Sequence, residues 1–205
     1  MDPAQRYLIR VDPVLAPIIK RVGALKPLRK RGSLFEHLVR VMTAQQVSVA
    51  AADSIFARVQ AACGGRVSPA SASAAGIEAL RAAGCSGAKA RAVHELGERL
   101  ATGALRLGGL ARLDDATVYQ RLLSIRGLGP WSVEMVLMFR LGRADVFSPG
   151  DVGLRRAIER LNGIGQGLSE RDWKAVSLQL AERWRPHRSS ACRYLWAATD
   201  GDIVY

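Results

Sequence analysis

Cysteine is scarce in this chain. Cys63, Cys85 and Cys192 are three in 205 residues, and none lies at a short metal-ligand or redox spacing from another. A zinc module and C-x-x-C chemistry are therefore excluded, and a reducing, intracellular setting is expected. Acidic residues are also few: 18 Asp and Glu face 30 Lys and Arg, for a net charge of +12. The excess is mostly arginine, whose planar fork suits phosphate, so a polyanionic partner is expected. No apolar run approaches the length of a membrane span, and Met1-Asp2-Pro3-Ala4-Gln5-Arg6 lacks a signal peptide's charged start and apolar core. A cytoplasmic, bacterial nucleoid-associated location and no membrane partner follow as expectations. Alternating strand patterns are nearly missing too, whereas apolar residues recur three and four apart along most of the chain. That predicts an all-α protein of about ten helices, and at 49% hydrophobic a substantial core.

Pro3, Pro13, Pro17 and Pro27 confine the first 32 residues to short helices, one of them predicted over about 12–23. Arg29-Lys30-Arg31 reads as a solvated charge run that could also touch phosphate. From Ser33, a plausible N-cap with Glu36 at the third position, Leu34, Leu38, Val41 and Met42 mark one helix. A second begins near Ser48 and closes at Gly64-Gly65, and the corner between them contains Gln45-Gln46. Ser68-Pro69 starts the next helix, and Ser86 caps one running through Val93, Leu96 and Leu100 to Gly103. His94 lies on that helix as a surface or packed side chain. Asn162 to Gly167 is a loop, its glycines too irregular for a nucleotide-binding fingerprint. Ser169 opens a further helix, Pro186 interrupts the chain, and a last helix is predicted from about Ser189 to Ala198.

One stretch organises the rest. Leu122-Leu123-Ser124-Ile125 is followed by Arg126-Gly127-Leu128-Gly129 and then by Pro130-Trp131-Ser132-Val133, which reads as helix, tight hairpin, helix. Glycines permit the positive φ of the turn, Leu128 can tuck beneath it, and Pro130 suits the first helical turn. The amides there would face outward as an anion site that a DNA phosphate fits; taken alone, the same residues also make an ordinary helical hairpin. Farther on, Ser148-Pro149-Gly150-Asp151 reads as an N-cap serine, a proline at the first helical position and an acid at the third. The helix N-terminus favours negative charge at Asp151. A carboxylate held beside a nucleotide is what stabilising a cationic sugar requires.

Hairpin, amphipathic helix and distal Pro149-Gly150-Asp151 together resemble the helix-hairpin-helix DNA glycosylases, and within them the alkylpurine enzymes of the 3-methyladenine DNA glycosylase II type. Further matches are Leu34 to Arg40, Met42 to Ala52, Ala181 to Ser189, and Leu195-Trp196, so the likeness covers roughly residues 34–196. The resemblance implies two helical lobes around a central cleft, roughly 34–115 and 116–205 with the N-terminal 1–33 joined to the second, and no N-terminal α/β domain.

By the same resemblance, Asp151 is the catalytic carboxylate, whereas Asp145 is structural. Trp131 and Trp196 stack on an extruded base, with Met135 and Val152 beside them where relatives carry tyrosines. Gly127, Leu128, Gly129 and Ser132 grip the backbone of double-stranded DNA. Gln45 and Gln46 form the loop that fills the vacated stack, Gln46 occupying the wedge position where many relatives have Leu. No metal is required, although the carbonyls of Leu123, Ile125 and Leu128 match those that hold a monovalent cation in relatives. Three dispersed cysteines cannot build the four-cysteine iron-sulfur cluster some relatives carry. The implied activity is hydrolytic removal of alkylated purines of the 3-methyladenine and 7-methylguanine type by a monomer, leaving an abasic site, with no lyase step because Trp131 stands where lyases have a nucleophilic Lys. The alternatives are a glycosylase for other damaged or mismatched bases, or a non-catalytic DNA-binding protein.

Overall fold

The computed structural model describes residues 1–28 and 32–199, so the basic cluster Arg29-Lys30-Arg31 lies outside the described residues. Among the described residues there are eleven α-helices and no strand. The chain divides into two compact units: a central one from α3 (Leu34–Ala44) through Val136, and a terminal one that combines the N-terminal helices with everything described from Leu137 onward.

The central unit continues with α4 (Val49–Ala62), α5 (Pro69–Ala82), α6 (Gly87–Ala101), α7 (Asp115–Leu123) and α8 (Pro130–Met135). Its helices start where short polar side chains can replace the missing intrahelical partner of an early amide. Ser33, Ser48, Ser68, Ser86 and Asp114 each accept a hydrogen bond from the amide three residues on. Helix α3 presents Phe35, Leu38, Val41 and Met42 inward, and it packs on α4, α6 and α8. Helix α5 kinks at Gly76. The expected boundary near residue 115 falls instead after Val136, because α7 pairs with α8 across the hairpin and α8 packs on α3. Buried Glu134 of α8 accepts a hydrogen bond from the Tyr119 hydroxyl of α7; burial, and then this carboxylate, push the phenol upward from its ordinary pKa. Beyond α8 the chain widens to a π-helix over Val136–Leu141.

The terminal unit holds α1 (Pro3–Val11), α2 (Leu15–Val22), α9 (Val152–Asn162), α10 (Glu170–Glu182) and α11 (Arg188–Thr199). Of the short helices expected at the N-terminus, α2 is the one predicted near 12–23, and α1 carries its own start signal. Asp2 and Gln5 form a reciprocal capping box with Pro3 at the first turn. Helix α11 packs against α2 and α9. Asp12, fully buried between α1 and α2, accepts hydrogen bonds from the amides of Val14 (2.9 Å) and Leu15 (3.3 Å) and from the indole of buried Trp184 (2.7 Å). Asp12→Ala leaves those donors without their acceptor. It is expected to cost roughly 2 to 4 kcal/mol in urea denaturation, and an unchanged midpoint would refute the anchoring role.

Candidate active site and nucleic-acid interface

In the terminal unit the geometry centres on Asp151. Sequence reasoning placed Ser148 at the cap and Asp151 at the third helical position. The structure shifts the start by three residues. Ser148 to Asp151 instead form a turn, with the Asp151 amide donating to the Ser148 carbonyl (3.1 Å), and Asp151 itself caps α9. A cap needs extended backbone and a short acceptor side chain, and Asp151 at φ −80°, ψ 121° supplies both. Its Oδ1 accepts the Leu154 amide at 2.7 Å and the Trp196 indole N–H at 3.0 Å. Asp151 is 8% exposed.

Three neighbours fix that carboxylate, and each has a physical reason. Gly153, in the first turn of α9, leaves room for Trp196: a Cβ there would lie 3.1 Å from Asp151 Oδ1 and 3.3 Å from the indole. Trp173 of α10 donates from its indole to the Pro149 carbonyl (2.8 Å), which pins the turn before Asp151. Ser189 donates to the Arg143 carbonyl (2.6 Å) and accepts from the Val146 amide (3.0 Å), docking the segment that leads to Asp151 on α11. Asp145 is bound by Arg185 (2.9 Å) and Arg188 (2.8 Å). That pairing commits it to the same docking.

Two expected pocket residues are differently placed. Trp196 is 1% exposed and lies against Phe139, with ring centroids 5.7 Å apart. With no open face to stack on a base, its visible task is to hold Asp151. Met135 is fully buried and likewise lines no open surface, because it points into the apolar interior that also takes Val133 and Val136. Val152, beside the carboxylate, is 59% exposed, and Trp131 is half-buried.

In the central unit the hairpin forms as expected. Ile125 accepts the Leu128 amide (3.1 Å), Leu128 is tucked in at 7% exposure, and Gly127 takes the left-handed φ of +86°. Gly129 caps α8 without a side chain, so no side-chain cap covers the first-turn amides. The glutamine corner differs from expectation. The side-chain amide of Gln45 donates to the Gly127 carbonyl (2.7 Å) and to Ser132 Oγ (2.9 Å). Ser132 is 2% exposed, and half-buried Gln45 spends its side-chain amide on the hairpin. Gln46 is exposed and has φ +58°, the single positive φ outside glycine among the described residues. Val47 and Val49 flank it at 40% and 42% exposure.

Lys89 was not singled out from sequence. Its ammonium reaches the carbonyls of Thr43 (3.1 Å) and Gln45 (2.6 Å) at the end of α3. Burial lowers its pKa from the ordinary lysine value, partly countered by Cys85. His94 lies 3.7 Å from Glu98 on α6, a helix-surface pair. Cys63, Cys85 and Cys192 are buried free thiols, and burial raises the pKa of Cys63 and Cys85. Among the described residues, no group of three or more His, Cys, Asp or Glu gathers to hold a metal ion. Of the three carbonyls considered for a monovalent cation, that of Ile125 already serves Leu128 and retains a second lone pair. No described helix is long and apolar enough to cross a membrane.

Comparison with known proteins shows the family. The profile of the HhH-GPD superfamily of base excision DNA repair proteins matches residues 39–186. DNA-3-methyladenine glycosylase 1 of Schizosaccharomyces pombe is 30% identical over 201 residues, covering 96% of this chain and 86% of that one. YfjP of Bacillus subtilis is 37% identical over 112 residues, which are 55% of this chain but only 38% of that relative's length. Among solved structures, S. pombe 3-methyladenine DNA glycosylase (Mag1) in complex with abasic DNA superposes with a TM-score of 0.86 at 27% identity, covering all of both chains.

Proposed function

Because this chain belongs to the HhH-GPD superfamily of base excision DNA repair proteins, we propose that it is a monofunctional DNA glycosylase that extrudes alkylated purines from the duplex and hydrolyses their glycosidic bonds. The observation that carries this reading is the fixed carboxylate of Asp151, held by the Leu154 amide and the Trp196 indole at the start of α9. S. pombe DNA-3-methyladenine glycosylase 1 supports the lesion class by its name and its full-length similarity.

The chemistry follows from the groups present. An enzyme acting on a base inside a duplex must first rotate the nucleotide out. The hairpin backbone at Gly127, Leu128 and Gly129 is the proposed phosphate grip, and Gln46 the side chain that fills the gap. As the C–N bond breaks, positive charge grows on the sugar, and the Asp151 carboxylate stabilises it and orients the water that attacks. An N-alkylated purine already carries positive charge and leaves readily, so no general acid is required. Half-buried Trp131 is the proposed stacking surface, selecting a cationic base by about 0.5 to 2 kcal/mol, and exposed Val152 borders the carboxylate. The carbonyls of Leu123, Ile125 and Leu128 would hold an alkali cation, which would supply local charge to the hairpin. No iron-sulfur cluster is proposed. Double-stranded DNA is the partner and a monomer the working form, in the cytoplasm.

Duplexes carrying 3-methyladenine, 7-methylguanine, 1-methyladenine or hypoxanthine, incubated with the protein and then cleaved at abasic sites, test the proposal. Release of 3-methyladenine or 7-methylguanine is expected. Excision confined to hypoxanthine would move the chain to another lesion class, and no release from any duplex would leave only a DNA-binding protein. Borohydride added during the same reaction should trap nothing. A trapped covalent complex would show a lyase.

A further inference from the structure

The wedge candidate Gln46 is held in an unfavourable left-handed conformation, φ +58°, on an exposed loop. A non-glycine residue stays there only when its surroundings over-determine it. Behind the loop lies a cavity of about 140 Å³ lined by Met42, Gln45, Lys89, Ala92 and Gly127 among others. Polar ties hold the chain immediately before Gln46. Its neighbour Gln45 is bound through its side chain to the Gly127 carbonyl and Ser132 Oγ, and through its own carbonyl to the Lys89 ammonium at 2.6 Å. Lys89 also takes the Thr43 carbonyl at 3.1 Å, so one cation gathers two carbonyls at the C-terminal end of α3, where the helix field favours positive charge. The part-buried ammonium has given up some hydration to do this, as its lowered pKa reflects.

We infer that Lys89 is a positioning residue for strand insertion: by clamping the end of α3 it keeps Gln46 preset as a plug, so that loop ordering does not have to be met when the nucleotide leaves the stack. The inference rests on reading Gln46 as the plug. It assigns Lys89 no contact with DNA, and it makes Gln45 the second tie of the same clamp. Preorganisation of this kind acts on binding to a duplex that contains a gap, and it leaves binding to continuous duplex alone.

The test needs no excision. Affinity is measured for two duplexes, one intact and one carrying a tetrahydrofuran abasic-site analogue, and their ratio reports plug insertion. Lys89→Met is expected to lower the preference for the abasic duplex about ten-fold while affinity for intact duplex stays within two-fold. Gln45→Ala, which cuts the other tie, should follow the same pattern. In a Gln46→Gly background, where the plug is gone and the left-handed backbone is unstrained, Lys89→Met should change the ratio less than two-fold. Equal weakening of both duplexes, or a ten-fold loss that persists without Gln46, would overturn the inference and leave Lys89 a fold residue. A wild-type protein that excises no lesion yet shows this pattern would sink the proposed enzyme and keep the clamp.

Discussion

Asp151→Asn lowers single-turnover excision by about 100- to 1000-fold or more, the usual loss when a group aimed at transition-state charge is removed, with little change in DNA affinity or folding. The separation is expected because the substitution removes charge and almost nothing else. Asn ranks with Asp as a helix cap, so its amide oxygen can still accept the Leu154 amide and the Trp196 indole that now meet Oδ1. Helix α9 therefore starts as before, and the 8% exposed side chain keeps its place. What is lost is the anion opposite a sugar that becomes positive as the base departs. Excision measured under saturating enzyme, alongside affinity for an abasic-analogue duplex, decides the matter. If Asp151→Asn excises within about three-fold of the parent, the carboxylate does not act in the reaction; if it loses affinity in step with rate, the residue serves binding instead.

Gly127→Ala is the second large effect, and it acts on the other half of the machinery. At φ +86° the backbone lies where a Cβ costs about 1 to 2 kcal/mol. An added Cβ would also sit 2.5 Å from the Ala92 Cβ of α6. Neither partner is a flexible side chain that could swing aside, so the hairpin or α6 must move, at a further 1 to 3 kcal/mol or so. The same turn carries the carbonyl that holds Gln45 and, in the proposed function, the amides that hold phosphate. Forfeiting one hydrogen bond to a charged phosphate is worth about 1.5 to 3 kcal/mol, which is roughly 10- to 100-fold in affinity. The expected result is a less stable protein that binds every duplex, damaged or not, at least ten-fold more weakly. Full affinity for undamaged duplex in a folded Gly127→Ala protein would remove the hairpin from the interface.

These two variants separate tasks that the chain assigns to different units, with the hairpin and glutamine corner in the central one and the carboxylate with its tryptophans in the terminal one. Helix starts were legible because capping is local: Ser33, Ser48, Ser68, Ser86 and Ser169 each reach an amide only three residues away. The hairpin was legible for the same reason, since two glycines, a tucked leucine and a proline specify a turn over five residues. Where two local signals competed, as at Ser148-Pro149-Gly150-Asp151, the sequence favoured the serine cap, and the pinned Pro149 carbonyl shifted the start to Asp151. Gly153 carried a signal that reading along the chain could have used. A glycine in the first turn of an amphipathic helix costs about 1 kcal/mol relative to Ala and implies a close neighbour.

By itself, then, the order of residues determined the all-helical class, the hairpin, the acid at the head of α9 and the basic surface, because each depends on interactions spanning a few positions or on composition. It could not decide that Trp196 and Met135 would be buried, that Gln45 would turn to Ser132, or that Lys89 would close on the end of α3. Those facts join residues about 40 to 90 positions apart, and a side chain's direction there is set by which helix packs over it and which buried polar group must find a partner. Only the folded chain supplies both.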